Sequence, residues 1–472
     1  MTMAPEALSF TFPATTTGTN TRRNSCAGTR SSSAPAAGRV RDPEARCPAS
    51  GPLTRGRSRN SIRLAFPWAA TAKDSPLIGT AWKLIQVGSG IGWEFLKCKG
   101  AEKLGIKAVA RSIAVLSRPY DGRPACHYCG ACGDGCDTRS RYSALEVVIP
   151  KLQGLRNFTL RTNAAVHTVL MDPGSGKARG VTYIDTQNKQ EYEAYAKAVV
   201  LAPSMVESLR ILLNSRNREY PNGLANSSGV LGRYLMEHVA FNDVEGFFPQ
   251  LAGRPTTNDD GPGSPILHIP RYNYGHKHQK KFLRGYTLFF STGCGTGAGP
   301  GGSLPGFGSA YKRKIKELYP AGVSMGGYGE GLAFDWNRVE IDPSGLRDRV
   351  GIPQVRFQTN SEYPHAFAIL EEMYGQIEEI LRASGAEILP YKKVAPYPLG
   401  SVTHEAGGCR MGDDPKASVL DQWNRCHDIK NLLVVDASSF VSHPEKSITL
   451  TIMALAYRAC DHLAEEFRLG NV

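Results

Sequence analysis

The sequence predicts an α/β (α+β) chain, a doubly wound unit with a separate sheet between two of its strands. Three observations carry this. Ala198–Ala202 is a short apolar run followed at once by a helical stretch, Met205–Asn214, and strand, tight turn, helix is the local order of a doubly wound unit. Asn431–Asp436 starts the same order again, a buried-type strand ending in an acid, then a loop, then an apolar helix after Ser447. Between them, residues 239–300 are rich in Gly, Pro and aromatics with weak alternation, which suits a separate sheet.

The elements follow in chain order. Residues 1–70 hold ten Arg, no Lys and three acids, among Ser, Thr, Ala, Pro and Gly, with no helical or strand period. Such a segment buries too little apolar surface to offset its ordering entropy, so a disordered leader over 1–75 is expected. It has the composition of an organelle transit peptide, and less closely that of a basic nucleic-acid arm. A GC-rich message read out of frame would also look like this, and that reading fits best. Net charge is +13, but +7 of it lies in this leader, so the rest of the chain gives no reason to expect nucleic acid as a partner. No run of about 18 apolar residues is present, so no membrane span is expected.

Glu94–Ala110 reads as a helix, and 118–140 as a loop rich in Gly, Pro and Cys. Asn157–Asp172 and Arg179–Thr186 read as two strands joined at Pro173-Gly174-Ser175-Gly176, a strong turn signal. In Glu362–Ser384, Phe367, Leu370, Met373, Ile377, Ile380 and Leu381 recur at helical spacing, and Gly385 can end the helix. That stripe reads as core.

Two stretches carry chemistry. His404-Glu405-Ala406-Gly407-Gly408-Cys409-Arg410-Met411-Gly412 puts an imidazole just ahead of a small-residue turn. Such a group can take a proton from an alcohol at neutral pH. The helix after Ser447 begins with unpaired N–H groups and a partial positive charge, suited to a bound ring or phosphate. Separately, Cys126, Cys129, Cys132 and Cys136 form C-x2-C-x2-C-x3-C, the spacing of bacterial ferredoxins without the proline after the fourth cysteine. An iron–sulfur cluster, a zinc ion, and disulfides or free thiols all stay open for this run. Cys409 reads as buried packing.

Taken together, Arg118–Gly130, Ala202–Ser215, Pro221–His238 and the two C-terminal stretches resemble the glucose–methanol–choline (GMC) flavoprotein oxidoreductases, in their bacterial dehydrogenase branch. The resemblance implies an incomplete FAD-binding doubly wound domain, over 76–236 and 396–472, and an inserted antiparallel-sheet substrate domain, 237–395. It implies FAD as cofactor and transfer of hydride from a CH–OH group of an alcohol or sugar, with His404 as base for the hydroxyl. Electrons would pass to a carrier other than oxygen, such as an acceptor protein. Asp436 and Ala437 would meet the pyrophosphate and ribityl region. The helix start at Thr449 would face the flavin's pyrimidine ring, and Ser204 and Glu207 would lie near the adenosine half. Plain structural alternatives stand beside these: a core histidine, a turn cap at Asp436, helix capping at Ser204.

Two departures from the family pattern matter. Ser447-Ile448 stands where the family has His or Asn followed by Pro, and a serine can hydrogen-bond a hydroxyl but cannot serve as base. His443 could substitute, although its place before a proline in a loop predicts exposure. The family's Gly-x-Gly-x-x-Gly fingerprint is missing, and Gly88-Ser89-Gly90-Ile91-Gly92 reads as a loop. Without that fingerprint FAD affinity is expected to collapse. An inactive remnant of the enzyme and an iron–sulfur electron-transfer module are therefore the competing readings.

Overall fold

The computed structural model describes Leu8–Phe10 and residues 100–472, apart from 111–113, 117, 128, 130–131, 133–134, 242, 255–266, 273–280, 293–303 and 360–363. The remainder of the leader, Gly88–Gly92 and the first part of the helix expected at 94–110 lie outside the described residues. Within the leader, Leu8–Phe10 forms a strand, β1. Of the expected helix, residues 100–104 form one short helical turn. Gly105 then takes a left-handed φ of 67°, and Ile106 N–H bonds back to Ala101 O at 2.8 Å, so the chain leaves the helix and enters β2, Val109–Ala110. The 118–140 stretch is a loop of turns, as its composition predicts.

A short helix α1 (Ile149–Gln153) precedes β3 (Phe158–Leu160), which pairs parallel with β1. The predicted hairpin is present as β4 (Ala164–Met171) and β5 (Ala178–Asp185), antiparallel. Its turn is built by Asp172, whose carboxylate accepts from Ser175 N–H at 2.7 Å and Gly174 N–H at 3.1 Å. β6 (Glu191–Tyr195) completes this three-stranded meander. The doubly wound element follows, β7 (Val199–Leu201) and then α2 (Met205–Asn214).

The inserted sheet comes next. β8 (Val244–Phe247), β9 (Leu267–Tyr272), β10 (Tyr286–Thr292) and, after helix α3 (Gly308–Leu318), β11 (Gly322–Gly329) all belong to it. A hairpin of β12 (Arg338–Ile341) and β13 (Val355–Gln358), the long helix α4 (Pro364–Ser384) and β14 (Glu387–Ile388) follow. The sheet has six strands in the order β14-β8-β11-β10-β9-β2, each pair antiparallel. α4 lies on it, closely enough that a Cβ on Gly329 would stand 2.5 Å from Ile369 Cγ2. One residue of the α4 stripe departs from expectation, since Phe367 is 45% exposed. It lies in the first turn of α4, at the end of the stripe that buried Tyr374 and Leu381 continue.

The chain returns to the doubly wound core at β15 (Leu432–Val434), parallel to β7 in the register Leu432↔Val199. Asn431 ties this corner, its side chain bonding Ala178 N–H, Ala178 O and Lys197 O. The last helix, α5 (Thr449–Leu469), ends at Gly470 with φ 76°. Two large hydrophobic clusters result, beside a small third one of Leu433, Val435, Ala459 and Leu463. One joins α2, β7, β15, Ala406, Cys409 and Ile448, and the other fills the space between α4 and the six-stranded sheet. Two bridges, Met236↔Ala406 and Val239↔Gly329, place the pair Glu237-His238 between these clusters. None of the described helices is long and apolar enough to cross a membrane.

Candidate active site

The site is assembled at the end of β15. Asp436 is buried, and its carboxylate accepts from Ser208 Oγ at 2.5 Å, Ser438 N–H at 2.9 Å and Ser438 Oγ at 2.6 Å. Burial raises its pKa, and these donors together with Ser204 N–H oppose the rise. The carboxylate thus caps the 437–439 turn and ties it to α2, as its capping alternative anticipates. Ala437 and the two serines after it then offer carbonyls to the His404 turn: Gly407 N–H bonds Ala437 O at 3.0 Å and Cys409 N–H bonds Ser438 O at 2.9 Å. Only glycine suits position 407, where φ is 88° and a Cβ would lie 2.3 Å from Tyr234 O. Cys409 is fully buried, as expected.

The other wall of that turn is Glu237, which is 1% exposed. Its Oε2 accepts from Gly400 N–H (2.7 Å) and Ser401 N–H (3.3 Å), its Oε1 from Val402 N–H (2.9 Å) and His404 N–H (3.1 Å). Burial raises the carboxyl's pKa, and the ring of amides holds it back toward the charged form. One side chain therefore organises the whole segment that carries His404.

His404 itself is half-buried and belongs to a cluster of rings. His238 Nδ1 lies 3.1 Å from His404 Nδ1, and His238 Nε2 lies 2.8 Å from Pro444 O. Tyr328 of β11 stacks on His238 at 4.6 Å and meets His404 edge-on at 5.1 Å. Burial drives the His238 pKa down to about 2, assisted by His443 and His404, against the pull of the Pro444 and Lys446 carbonyls. His443 corrects an expectation. It is fully buried rather than exposed, because the strap 443–446 folds inward over His238, with the two rings 4.1 Å apart. Its Nε2 donates to His404 O at 2.7 Å, and burial lowers its pKa as well. It supports His404 from behind.

The strap leads to Ser447 and α5. The strap is tied to the His404 turn by His443 Nε2 at His404 O and to His238 through Pro444 O, and α5 starts a few residues further on, with Ile448 buried in the same large cluster as Ala406 and Cys409. Ser447 and Thr449 are exposed, and no side chain caps the N-terminus of α5. A small recess opens here, lined by His268, Thr287, Phe289, Tyr328, Lys446 and Ser447 among others. Lys446 Nζ donates to Thr287 Oγ1 at 2.7 Å, fixing an ammonium at its rim.

Ser204 and Glu207 lie apart from the ring cluster, at the start of α2. Ser204 has φ 94° and ψ 164° and makes no side-chain cap, while Glu207 pairs with Arg210 at 2.7 Å, which also holds Asp348 at 2.9 Å. The four cysteines of the 118–140 loop are not joined in disulfides. A tetrahedral zinc would hold its sulfurs about 3.8 Å apart. Among the described residues the group of ligand atoms gathered within 4.8 Å is His127, Cys129 and Asp137, not the four thiols. A cluster, whose cysteines sit on different irons, does not require that closeness. Burial raises the pKa of Cys136, but hydrogen bonds from Arg141 N–H, Thr138 and Ser140 outweigh it and leave the thiol more acidic than usual.

Glu237, His238 and Tyr328 are the residues that sequence reasoning left without a role. A signal was available for the first two: a polar pair between Leu235-Met236 and Val239-Ala240-Phe241 interrupts an apolar run, and such a pair must be buried with partners.

Sequence models of the GMC oxidoreductase family match residues 72–240 and 334–456. The chain is 32% identical over 363 residues to the 2-methyl-1,2-propanediol dehydrogenase of Mycolicibacterium austroafricanum, covering 75% of this chain and 63% of that protein. It is 27% identical over 375 residues to the fructose dehydrogenase large subunit of Gluconobacter japonicus, covering 78% and 65%. The chain thus spans just under two thirds of the length of these relatives. A solved formate oxidase variant from Aspergillus oryzae RIB40 superposes with a TM-score of 0.56 at 14% identity, over 80% of this chain and 70% of that one, a likeness of fold. With both parts of the family's sequence present and the expected fold around them, the chain belongs to the GMC oxidoreductases.

Proposed function

We propose that the chain is an FAD-dependent oxidoreductase that removes hydride from a CH–OH group of an alcohol or sugar and passes electrons to a carrier other than oxygen. The observation that carries this reading is the His404 imidazole held by the strap that leads into the uncapped start of α5, near a recess walled by Phe289 and Tyr328 with Thr287, Lys446 and Ser447. The names of the relatives, a propanediol dehydrogenase, a fructose dehydrogenase subunit and a gluconate 2-dehydrogenase flavoprotein, agree with it.

The residues present suit the flavin half of FAD. The first turn of α5, at Thr449, presents backbone N–H groups with no side-chain cap, and Leu450, Met453 and Tyr457 expose apolar surface along the same helix. The Asp436 carboxylate is committed to Ser208 and Ser438, so in this reading it shapes the turn at Ala437 toward the cofactor rather than contacting it. Ser204 and Glu207 are proposed near the adenosine half. FAD, when bound, supplies the hydride acceptor. His404 receives the hydroxyl proton, and Ser447 and Lys446 orient the substrate oxygen from the recess. We also propose an iron–sulfur cluster on Cys126, Cys129, Cys132 and Cys136, supported by their ferredoxin-type spacing on one loop, with none of them in a disulfide, and by the acidified Cys136. Iron and labile sulfide analysis tests it.

The test of the main reading is FAD titration of the purified chain, followed by anaerobic turnover of diols and sugars with a soluble dye acceptor. Flavin absorbance with turnover supports it, and His404→Asn should keep the absorbance while losing about 10²–10⁴-fold in rate. A chain that binds no flavin at all would be the remnant instead.

A further inference from the structure

We propose that His238 is a positioning residue that sets the tautomer of His404, with the proton on Nδ1 and the lone pair on Nε2. The argument is a count of protons along a chain of fixed partners. Pro444 O can only accept, so His238 Nε2, 2.8 Å away, must carry a proton. His238 is neutral, because it is 1% exposed and enclosed by two other imidazoles, and its pKa is driven down to about 2. A neutral imidazole has one proton. Its Nδ1 is therefore a lone pair, and the atom facing it at 3.1 Å is His404 Nδ1. That contact is a hydrogen bond only if His404 Nδ1 donates. The opposite tautomer would set two lone pairs against each other in a buried site, which disfavours it by at least about tenfold.

The neighbours leave little freedom to escape this assignment. Tyr328 stacks on His238 with 7° between planes, which holds the plane of the ring, and the bond to Pro444 O sets which edge faces His404. Glu237, the preceding residue, holds His404 N–H, and His443 Nε2 donates to His404 O, so the backbone of His404 is held on both sides. The direction of the chain is set at Pro444 O and runs outward to His404. The Nε2 of His404 is thereby kept as a proton acceptor before any substrate arrives. The catalytic meaning of this rests on His404 being the base proposed above, but the tautomer itself does not.

The test is long-range ¹H–¹⁵N NMR of histidine-labelled protein near neutral pH, with no flavin or substrate added. His404 is identified by the signals lost in His404→Asn. The expected result is a protonated Nδ1 and a lone-pair Nε2 at His404, with the reverse pattern at His238. His238→Phe keeps a ring against Tyr328 but removes both nitrogens, and should let His404 populate both tautomers. His238→Asn returns an acceptor oxygen at the Nδ1 position and should restore the wild-type pattern. A proton on Nε2 of wild-type His404, which needs no variant to detect, overturns the proposal, as does an unchanged pattern in His238→Phe. If the tautomer is as stated and the FAD-loaded chain turns nothing over, the oxidoreductase reading fails alone. If turnover is seen with the reversed tautomer, this inference fails alone.

Discussion

Replacing Glu237 by Gln should loosen residues 400–404 without touching a ring of the site. In the wild type one buried carboxylate accepts four amide N–H groups, two on each oxygen, at 2.7–3.3 Å. An amide side chain keeps one oxygen and turns an NH₂ toward the other two donors. The cheaper orientation gives up the pair at 2.9 and 3.1 Å or the pair at 2.7 and 3.3 Å, and both contain one strong bond. Two buried donors lose their partner at about 1–1.5 kcal/mol each, and charge assistance is lost at the remaining two, so about 3 kcal/mol is expected. Urea unfolding monitored by Trp fluorescence reads the global part. Amide hydrogen exchange reads the local part, with protection at Val402 and His404 falling about 100-fold if most of the cost is local. Unchanged exchange at these amides, in a variant that still folds, would refute the view that Glu237 holds this loop.

Three further outcomes follow from the same geometry. Ser204 sits at φ 94° and ψ 164°, a region open essentially to glycine, so Ser204→Gly should stabilise by about 1 kcal/mol in urea titration; equal or lower stability counts against a strained turn. On α4, Met373→Ala should cost about 2–5 kcal/mol, since Met373 is fully buried. Phe367→Ser, on the exposed side, should stay within about 0.5 kcal/mol. The buried imidazoles give a pH dependence of stated sign. His238 has a folded pKa of about 2 against an ordinary value of 6.5, so the unfolded chain takes up the proton first. Its stabilising contribution is complete above the unfolded value and is lost as pH falls below it, by about 1.4 kcal/mol between pH 7.5 and 5.5. His443 acts in the same direction, while Glu237 and Asp436, raised by burial, offset part of the loss toward acid. Urea midpoints should therefore fall on acidification, with a smaller slope in His238→Phe.

The parts of the fold legible in the sequence are those whose signals are local. The β4–β5 turn declares itself through Asp172 and its glycines, and α2, α4 and β15 through apolar spacing over a few residues. The failures are where a distant contact decides. A helix pattern across Gly105 gives way because the left-handed turn there sends the chain to pair with β9. His443 precedes a proline, a local mark of an exposed loop, yet it is buried because His404 O and the His238 ring, 39 and 205 positions away in sequence, receive it.

The site divides along the same line. His404 was visible because a small-residue turn beside an imidazole is a local pattern, and the structure adds that Gly407 has no room for a Cβ against Tyr234 O. What makes that imidazole directional is not local. The acceptor for its Nδ1 proton, the carboxylate under its amide and the ring that aligns its neighbour come from residues 238, 237 and 328, far from it in sequence. A base needs a lone pair aimed the right way as well as a suitable residue type. The side chain that supplies the type is therefore readable from sequence, while the side chains that supply the aim become readable only once the bridges at Met236–Ala406 and Val239–Gly329 have closed.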